Sequence, residues 1–348
     1  MIMKKNIFKL FSAMVVSATV LTGCIEEVFP EDSTATSEQI GASATALEAA
    51  VSGMPSQMVQ GYLVYGSQTH ETDLGYPSLM LAQSELLGDV VDTDYGYDWW
   101  WPFNASLQMY DNGYYSYLPY FTLYKFVKSA NDVISVVDVT DPTITDEIRG
   151  LGSISHAFRA FSYYTLMVLF EPVENIYTDC SKVLGLTVPI VTEETTNDIA
   201  KSNPRATHEE MVNFILSDLD KAEIGLESYI PTSKNFPDLA VVYGLKAKVY
   251  MWDGQFDKAA EYARKAIDKS GATPMNEAQW HNPTTGFNTA TSAWMWYLHP
   301  TASNMGNLAN FIGHISGCAP PGLDIFICRK RRFSAFFRGR CRHCFLIA

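Results

Sequence analysis

Apolar residues recur at intervals of three and four through the middle of the chain. The stretch "YKFVKSANDVISVVD" (124–138) places them along one helical face, and Asp141–Pro142 is predicted to end that helix. "TDEIRGLGSISHAFRAFSYYTLMVLF" (145–170) repeats the pattern. This second helix should end before Pro172, because proline disfavours helical geometry in the residue that precedes it. The pattern predicts two amphipathic helices in succession.

Further along, the pattern predicts a capped helix and then a pair of helices. Thr207 can cap a helix with Glu210 three residues on, which is a capping box. "DLAVVYGLKAKVYMWDG" (238–254) and "QFDKAAEYARKAIDKSG" (255–271) predict two helices joined by a tight turn at Asp253–Gly254. None of these helices could bury its apolar face alone, so we expect stacked helix pairs. The predicted fold class is all-α.

Shorter elements are expected around these helices. The pattern predicts helices at 44–56 and 77–89 and an extended connection at 185–195. "SAWMWYLHP" (292–300) alternates large residues between two sides and predicts a short strand whose side chains pack against the protein. Arg159, alone among apolar neighbours, is expected to form a structural ion pair or to cap a neighbouring loop.

An aromatic-rich segment interrupts the helical pattern. Between Tyr95 and Tyr124, thirteen of thirty residues are aromatic, with proline, asparagine and glycine among them, which predicts a loop leading into a helix. Three consecutive tryptophans cannot all face one core, so some surface exposure is expected. Flat aromatic faces beside polar side chains suit sugar rings, although these aromatics could instead pack the loop onto the helices. The candidate glycan-binding residues are Trp99, Trp100, Trp101, Asn104, Tyr95 and Tyr97, with Asp98 as a possible polar contact.

The first residues have the pattern of an export signal. Three lysines precede an apolar run at 10–21, which is shorter than the roughly 20 residues that a membrane-spanning helix needs. "LTGC" resembles the bacterial lipobox, so residues 1–23 are predicted to be a lipoprotein signal peptide and Cys24 the acylated first residue, anchored by several acyl chains. An ordinary cleaved signal is the alternative. Residues 24–43 are predicted to form an acidic tether.

Charge and motifs narrow the function. The net charge of −13 argues against nucleic-acid binding, which needs clustered Lys and Arg. Metalloprotease, serine-hydrolase and phosphate-loop motifs are missing from the sequence, so an enzyme is not predicted. The acidic segment Asp92–Asp98 resembles a calcium loop, but Phe103 stands where the last ligand, a glutamate, should be. Cys341 and Cys344 lack a second ligand pair for zinc. Neither a cofactor nor a metal is expected.

Two resemblances follow from these stretches. Residues 243–270 are similar to a tetratricopeptide unit, departing from its usual pattern at Lys246. The wider chain resembles the SusD/RagB family of Bacteroidetes lipoproteins over roughly residues 40–300. It departs from that family near Glu171, where relatives often carry Phe-Gly. The matching stretches are "SELLGDVVD" (84–92), "YKFVKSANDVI" (124–134), "EIRGLGSISHAFRAFSYYTLMVLF" (147–170), "LTVPIVTEET" (186–195), "NPRATHEEMVNFILSDLDKAEIGL" (203–226) and "VYGLKAKVYMWDGQFDKAAEYARKAI" (242–267).

The family resemblance implies a function and a location. It implies a SusD-like helical domain at 44–317, with tetratricopeptide-like helix pairs and long aromatic-rich loops. It further implies a glycan-binding lipoprotein of the outer membrane, exposed at the cell surface, that delivers oligosaccharides to a SusC-like TonB-dependent transporter. The acidic residues after Cys24 resemble the family's surface-export signal, or they are a plain tether. The alternative function is a tetratricopeptide-like scaffold that binds a protein or peptide in an envelope complex.

The end of the chain differs from the rest. Residues 318–348 hold four of the six cysteines, and the last twenty residues carry seven Arg and Lys without an acid. They show no periodicity, and members of the family usually run longer. We therefore expect a truncated or shifted reading frame near residues 315–320, with a native basic tail as the alternative.

Overall fold

The computed structural model describes a helical body and one short strand pair. The described residues are 37–41, 43–59, 76, 90–92, 114–176, 178–282, 284, 290–298 and 327–329. The helices are α1 (Ser37–Gly41), α2 (Ala44–Met58), α3 (Tyr114–Ile134), α4 (Asp146–Phe170), α5 (Asn197–Ala200), α6 (His208–Leu226), α7 (Leu239–Trp252), α8 (Phe256–Ser270) and α9 (Glu277–Trp280). Strands β1 (Val90–Asp92) and β2 (Ile327–Arg329) pair antiparallel, with Val91 opposite Cys328.

The helix α4 lies at the centre of the body. It packs against α3 and α6, with α2 against both α3 and α4; α6 then packs against α7, and α7 against α8. Thr145 caps its start by accepting a hydrogen bond from the backbone of Ile148, and Asp146 and Glu147 lie in its first turn, where the helix dipole favours acids. It ends at Phe170, before Pro172. The boundaries predicted for this helix are confirmed.

Glycines allow α4 to approach its neighbours closely. A Cβ atom on Gly225 of α6 would lie 2.6 Å from the backbone oxygen of Arg149 in α4. A Cβ atom on Gly150 would lie 2.2 Å from Cγ of Tyr229. Neither position has room for a side chain: at Gly225 the helices α4 and α6 pack almost backbone to backbone, and at Gly150 the ring of Tyr229 fills the space.

The predicted helix pair is present as α7 and α8. The turn between them carries Gly254 at φ 75°, a left-handed conformation that glycine adopts without strain. Lys246 on α7 is buried and forms ion pairs with Asp220 and Glu223 of α6. Its departure from the tetratricopeptide pattern is therefore compensated by two acids on the preceding helix. The capping box of Thr207 and Glu210 at the start of α6 is also confirmed.

The helix α3 differs from its prediction at both ends. It begins at Tyr114, so the last part of the aromatic-rich segment is helical, and it ends at Ile134, well before Pro142. After Ile134 the chain turns so that Val137 and Val139 enter the core. A continued helix would have carried these two valines to different faces, so their burial decides where the helix ends.

The strand predicted at 292–300 is wrong for its described part. Residues 291–298 form turns and irregular structure, and the adjacent Met295 and Trp296 both pack against the core. The backbone N–H of Tyr297 donates to the carbonyl of Lys234 (3.1 Å), and Nε1 of Trp296 donates to the carbonyl of Asn235 (2.9 Å). The segment is held by a loop rather than by a strand, although its packing role is as predicted.

Several predictions concern segments beyond the described residues. The signal peptide (1–23), the helix at 77–89 and the tail at 318–348, apart from β2, lie outside them. The predicted tether (24–43) extends too far, because α1 lies within it and Ile40 is buried in the core. Within the described ranges, no helix is long and apolar enough to cross a membrane.

Candidate functional site

The predicted glycan-binding residues lie outside the described part of the chain. The first part of the aromatic-rich segment is not described, and it contains Trp99, Trp100, Trp101, Asn104, Tyr95, Tyr97 and Asp98. The predicted lipid anchor, Cys24, also lies outside the described residues. The structure describes the last part of this segment, in which the first three turns of α3 continue the run of aromatic residues. The candidate site is therefore built from those turns.

Aromatic side chains cover the start of α3. Tyr117 is 40% exposed and Tyr120 is 36% exposed, and the neighbouring Phe121 is half-buried. The rings of Tyr117 and Phe121 stack with centroids 5.6 Å apart and an interplanar angle of 20°. Tyr120 meets the ring of Phe170, at the end of α4, edge-on at 5.5 Å. We call Tyr117, Tyr120, Phe121 and Phe170 the aromatic face.

Two further tyrosines, Tyr124 and the buried Tyr163, support the aromatic face. The ring of Tyr124 lies 4.6 Å from that of Tyr120, and its hydroxyl donates to the carbonyl of Pro189 (2.5 Å). Tyr163 meets Tyr124 edge-on at 6.2 Å. Burial raises the pKa of both buried hydroxyls well above the usual range, so they remain neutral donors. Rings held in this way keep a fixed orientation.

An ionic network ties the connection after α4 to the helices. The guanidinium of Arg159 bonds both carboxylate oxygens of Asp218 (2.7 and 2.8 Å), Glu193 (2.5 Å) and the side-chain oxygen of Asn131 (2.8 Å). His156 lies 2.8 Å from the same Asp218 carboxylate. Arg159 thus forms an ion pair within the helix layer and also holds a loop, as predicted from the sequence.

The charges in this network stabilise one another. Burial alone would raise the pKa of Asp218, but hydrogen bonds from Arg159 and His156 lower it below its usual value. Burial likewise disfavours the charged form of Arg159, while Asp218 and Glu193 raise its pKa. Both groups are therefore ionised inside the protein, and each depends on its partner.

The same region fixes the path of the connection. The hydroxyl of Tyr163 accepts a hydrogen bond from the backbone N–H of Val191 (2.7 Å) and donates to its carbonyl (2.9 Å). Asn131 donates to the same carbonyl at 3.1 Å. Pro189 and Val191 are thus anchored to α3 and α4.

A second polar cluster lies where α4, α6 and α7 meet. Glu171 accepts a hydrogen bond from Nε1 of Trp252 (2.8 Å) and lies 2.7 Å from Nδ1 of His208. Nε2 of His208 lies 3.2 Å from Asp253. Glu171 is the residue at which the sequence departs from the family, and here it links three helix ends. In the described ranges, no group of three or more acidic, histidine or cysteine side chains is arranged to hold a metal.

Sequence reasoning missed Tyr117 and Tyr120. It placed Tyr117 in a loop, had the helical period return only from Tyr120, and singled out the tryptophans before them. Their spacing of three residues puts both on one side of a helix, which is the signal that could have identified them. The loop assignment hid that signal.

Comparisons with known proteins give one matching family model and several structures of similar fold. Residues 80–251 match a SusD-like family model described as "starch-binding associating with outer membrane". No curated protein matches the chain in sequence. Similar solved structures include a SusD-like carbohydrate-binding protein of Bacteroides vulgatus (TM-score 0.58, 20% identity, covering 75% of this chain) and a SusD superfamily protein of Bacteroides thetaiotaomicron (0.53, 20%, 76%). A SusD superfamily protein of Bacteroides fragilis is also similar (0.55, 16%, 78%).

The match covers only part of these structures. The chain spans 52%, 54% and 59% of their respective lengths. At such identities the likeness establishes the helical fold, and the family model adds the sequence relationship over residues 80–251. The resemblance stated from the sequence is thus confirmed over residues 80–251, which match the SusD-like family model.

Proposed function

We propose that this protein is a lipid-anchored carbohydrate-binding protein of the outer membrane. It captures oligosaccharides at the cell surface without converting them and delivers them to a SusC-like TonB-dependent transporter. The observation that carries the proposal is the aromatic face, which continues the aromatic-rich segment of a chain that matches the SusD-like family model. That family is described as starch-binding and associated with the outer membrane.

The aromatic face has the chemistry that a sugar ring needs. The C–H groups on one side of a pyranose form an apolar patch, which packs against a flat ring, and a tyrosine hydroxyl can bond a sugar hydroxyl. Tyr117 and Tyr120 offer both features on one side of α3. The support beneath them limits the conformational entropy that would be lost on binding.

We propose that the tryptophans share the ligand with the aromatic face. Trp99, Trp100 and Trp101, with Tyr95, Tyr97, Asp98 and Asn104, lie sixteen to twenty-five residues before Tyr120 in the chain. An extended oligosaccharide would contact both groups. Each would contribute part of the affinity.

Affinity electrophoresis of the full chain tests the proposal. The gels contain soluble starch or one of a panel of other polysaccharides, and at least one gel should retard the protein. The variant with Trp99→Ala, Trp100→Ala and Trp101→Ala should lose most of the retardation. Trp280→Ala is the matched control, because this tryptophan is exposed on α9, away from the aromatic-rich segment in sequence. Unchanged retardation of the triple variant would remove the tryptophans from the site.

The anchor and the transporter require separate measurements. Cys24→Ser should abolish incorporation of labelled palmitate and release the protein from the membrane fraction. Glu26→Ala with Glu27→Ala should reduce exposure to external protease while leaving the label in place. Unchanged exposure would leave the acidic residues as a plain tether. Affinity purification from the native membrane should recover a TonB-dependent transporter, and recovery of other partners without sugar binding would favour the scaffold function.

A further inference from the structure

The helix α8 has an apolar face that the described structure leaves uncovered. Of its fifteen residues, only Ala266 is buried. Tyr262 faces α7, where its ring stacks on that of Tyr250 at 5.4 Å. On another side, Phe256 is 68% exposed and Ile267 is 54% exposed. The helix therefore uses one face for α7 and presents a second one to solvent.

The second face has the spacing of a helix-pairing seam. Phe256, Ala260, Ala263 and Ile267 follow one another at intervals of four, three and four residues, which are the a and d positions of a heptad. They extend for about 17 Å along the helix at 1.5 Å per residue. Large residues stand at both ends and alanines in the middle. We call these four residues the α8 seam.

The order of side chains along the seam is self-complementary. In an antiparallel pair, Phe256 of one copy would meet Ile267 of the other, and the central alanines would meet each other. Small central residues allow the two helix axes to approach closely, near the lower end of the usual 8–10 Å range. The same two-fold arrangement buries both large residues of each copy.

The charges beside the seam favour the same arrangement. Asp257 and Arg264 are seven residues apart and occupy equivalent flanking positions on one side of it. In an antiparallel pair, Asp257 would face Arg264 of the second copy, and Arg264 would face Asp257 of the second copy. In a parallel pair the facing positions would be Ala259 and Ala266, which carry no charge. Within the chain, Arg264 lies 3.9 Å from Asp268, a loose surface pair that leaves it able to bond elsewhere.

We propose that the α8 seam docks a second copy of this chain in an antiparallel, two-fold symmetric pair. Two fifteen-residue helices bury less area than a standard interface, so the dimer should be weak, with a Kd of about 1–100 µM. The proposal is independent of carbohydrate binding. The partner is inferred from the heptad spacing of the α8 seam and from the charges of Asp257 and Arg264 beside it.

Sedimentation velocity of the full chain tests the proposal. The protein concentration runs from about 1 to about 200 µM, so that it spans the expected Kd. The protein carries Cys24→Ser and is kept in a mild detergent, so that neither the anchor nor the signal segment drives association. We expect a monomer–dimer equilibrium. Ile267→Glu should abolish the dimer, and Ile230→Glu, at a site 84% exposed outside the seam, should leave it unchanged.

A charge exchange makes the test specific. Asp257→Arg alone and Arg264→Asp alone should each weaken the dimer about tenfold or more, because like charges then face each other. An equimolar mixture of the two variants should restore association as a heterodimer. The double variant should restore the homodimer.

Three results would overturn the proposal. They are a monomer at every concentration, a dimer that survives Ile267→Glu, and a mixture of the charge variants that fails to associate. A thermal unfolding scan of Ile267→Glu completes the test. A lower melting temperature at a concentration where the unaltered chain is monomeric would show that another segment of the same chain covers the seam.

Discussion

The helices α4 and α8 differ in where they keep their polar groups. Sixteen of the twenty-five residues of α4 are buried, among them His156 and Arg159, and the charge of Arg159 is paired with Asp218 inside the protein. In α8 one residue of fifteen is buried, and the charged side chains lie at the surface. The sequence of α8 is strongly amphipathic, whereas that of α4 carries small and apolar residues on all sides. A helix with a single apolar side thus lies at the edge of the body, and the helix with small and apolar residues on all sides, whose few buried polar groups are hydrogen-bonded, lies at its centre.

The largest effect is expected for the buried carboxylate. Asp218→Ala leaves Arg159 buried without its main counter-charge, which should lower the free energy of unfolding by about 3–5 kcal/mol. Asp268→Ala, which removes the acid of a surface pair on α8, should change it by less than about 1 kcal/mol. Urea denaturation followed by circular dichroism measures both. Equal losses would contradict the contrast between the two helices.

Replacing one isoleucine by alanine in each helix compares how much side-chain packing in α4 and in α8 contributes to stability. Ile154 in α4 is 1% exposed, so Ile154→Ala should cost about 2–5 kcal/mol through lost burial and the cavity it leaves. Ile267→Ala on the exposed seam should cost less than about 0.5 kcal/mol in the monomer. The unfolding midpoint should be measured at low micromolar protein, where few dimers form. A large loss for Ile267→Ala there would show that the seam is covered within the chain.

Glycine replacement separates close helix contacts from open ones. Gly225→Ala would force a Cβ against the backbone of α4 and should destabilise the protein by about 1–3 kcal/mol. Gly244→Ala in α7 meets nothing within 4 Å and should stabilise it by about 0.5–1 kcal/mol, because alanine favours the helix. Thermal melts of the two variants should therefore shift in opposite directions. Shifts of the same sign would contradict the packing described for α4 and α6.

The smallest effect is the acid dependence. The pKa of Asp218 is lower in the folded protein than its ordinary value of 3.8, so the folded state binds fewer protons there than the unfolded state. The stabilisation is complete above that ordinary value and is lost as the pH falls through the folded pKa. In Asp218→Asn the free energy of unfolding should fall less steeply below about pH 4, by at most about 1.4 kcal/mol per pH unit. An identical slope would exclude Asp218 as a source of acid sensitivity.

The sequence predicted features that depend on neighbours in the chain. The limits of α4, the capping box of α6 and the turn at Gly254 follow from residues within a few positions of each other. The partners of Arg159 lie far from it in sequence, and the pattern indicated a partner without naming Asp218. The strand expected near Trp296 was wrong because contacts with residues 234–235 decide that segment. Alternation alone carries no information about such contacts.

The candidate site was predictable only in kind. The density of aromatic residues between Tyr95 and Tyr124 led us to expect a carbohydrate-binding surface, with packing of the loop onto the helices as the alternative. Which rings are exposed depends on where α3 begins, and the sequence placed that start too late. Tyr120 contacts the rings of Tyr124 and Phe170, and Tyr117 stacks on Phe121. That arrangement comes from the packing of α3 on α4.

Carbohydrate binding by the aromatic face is the central claim, and affinity electrophoresis of a second variant tests it most directly. The full chain and the variant Tyr117→Ala/Tyr120→Ala are run through gels that contain each polysaccharide of the panel, with Trp280→Ala as the control. The account predicts that at least one polysaccharide retards the full chain and the control, and that the double variant is retarded at least about fivefold less, the loss of one or two ring contacts. Equal retardation of all three proteins, or retardation of none by any polysaccharide, would contradict it.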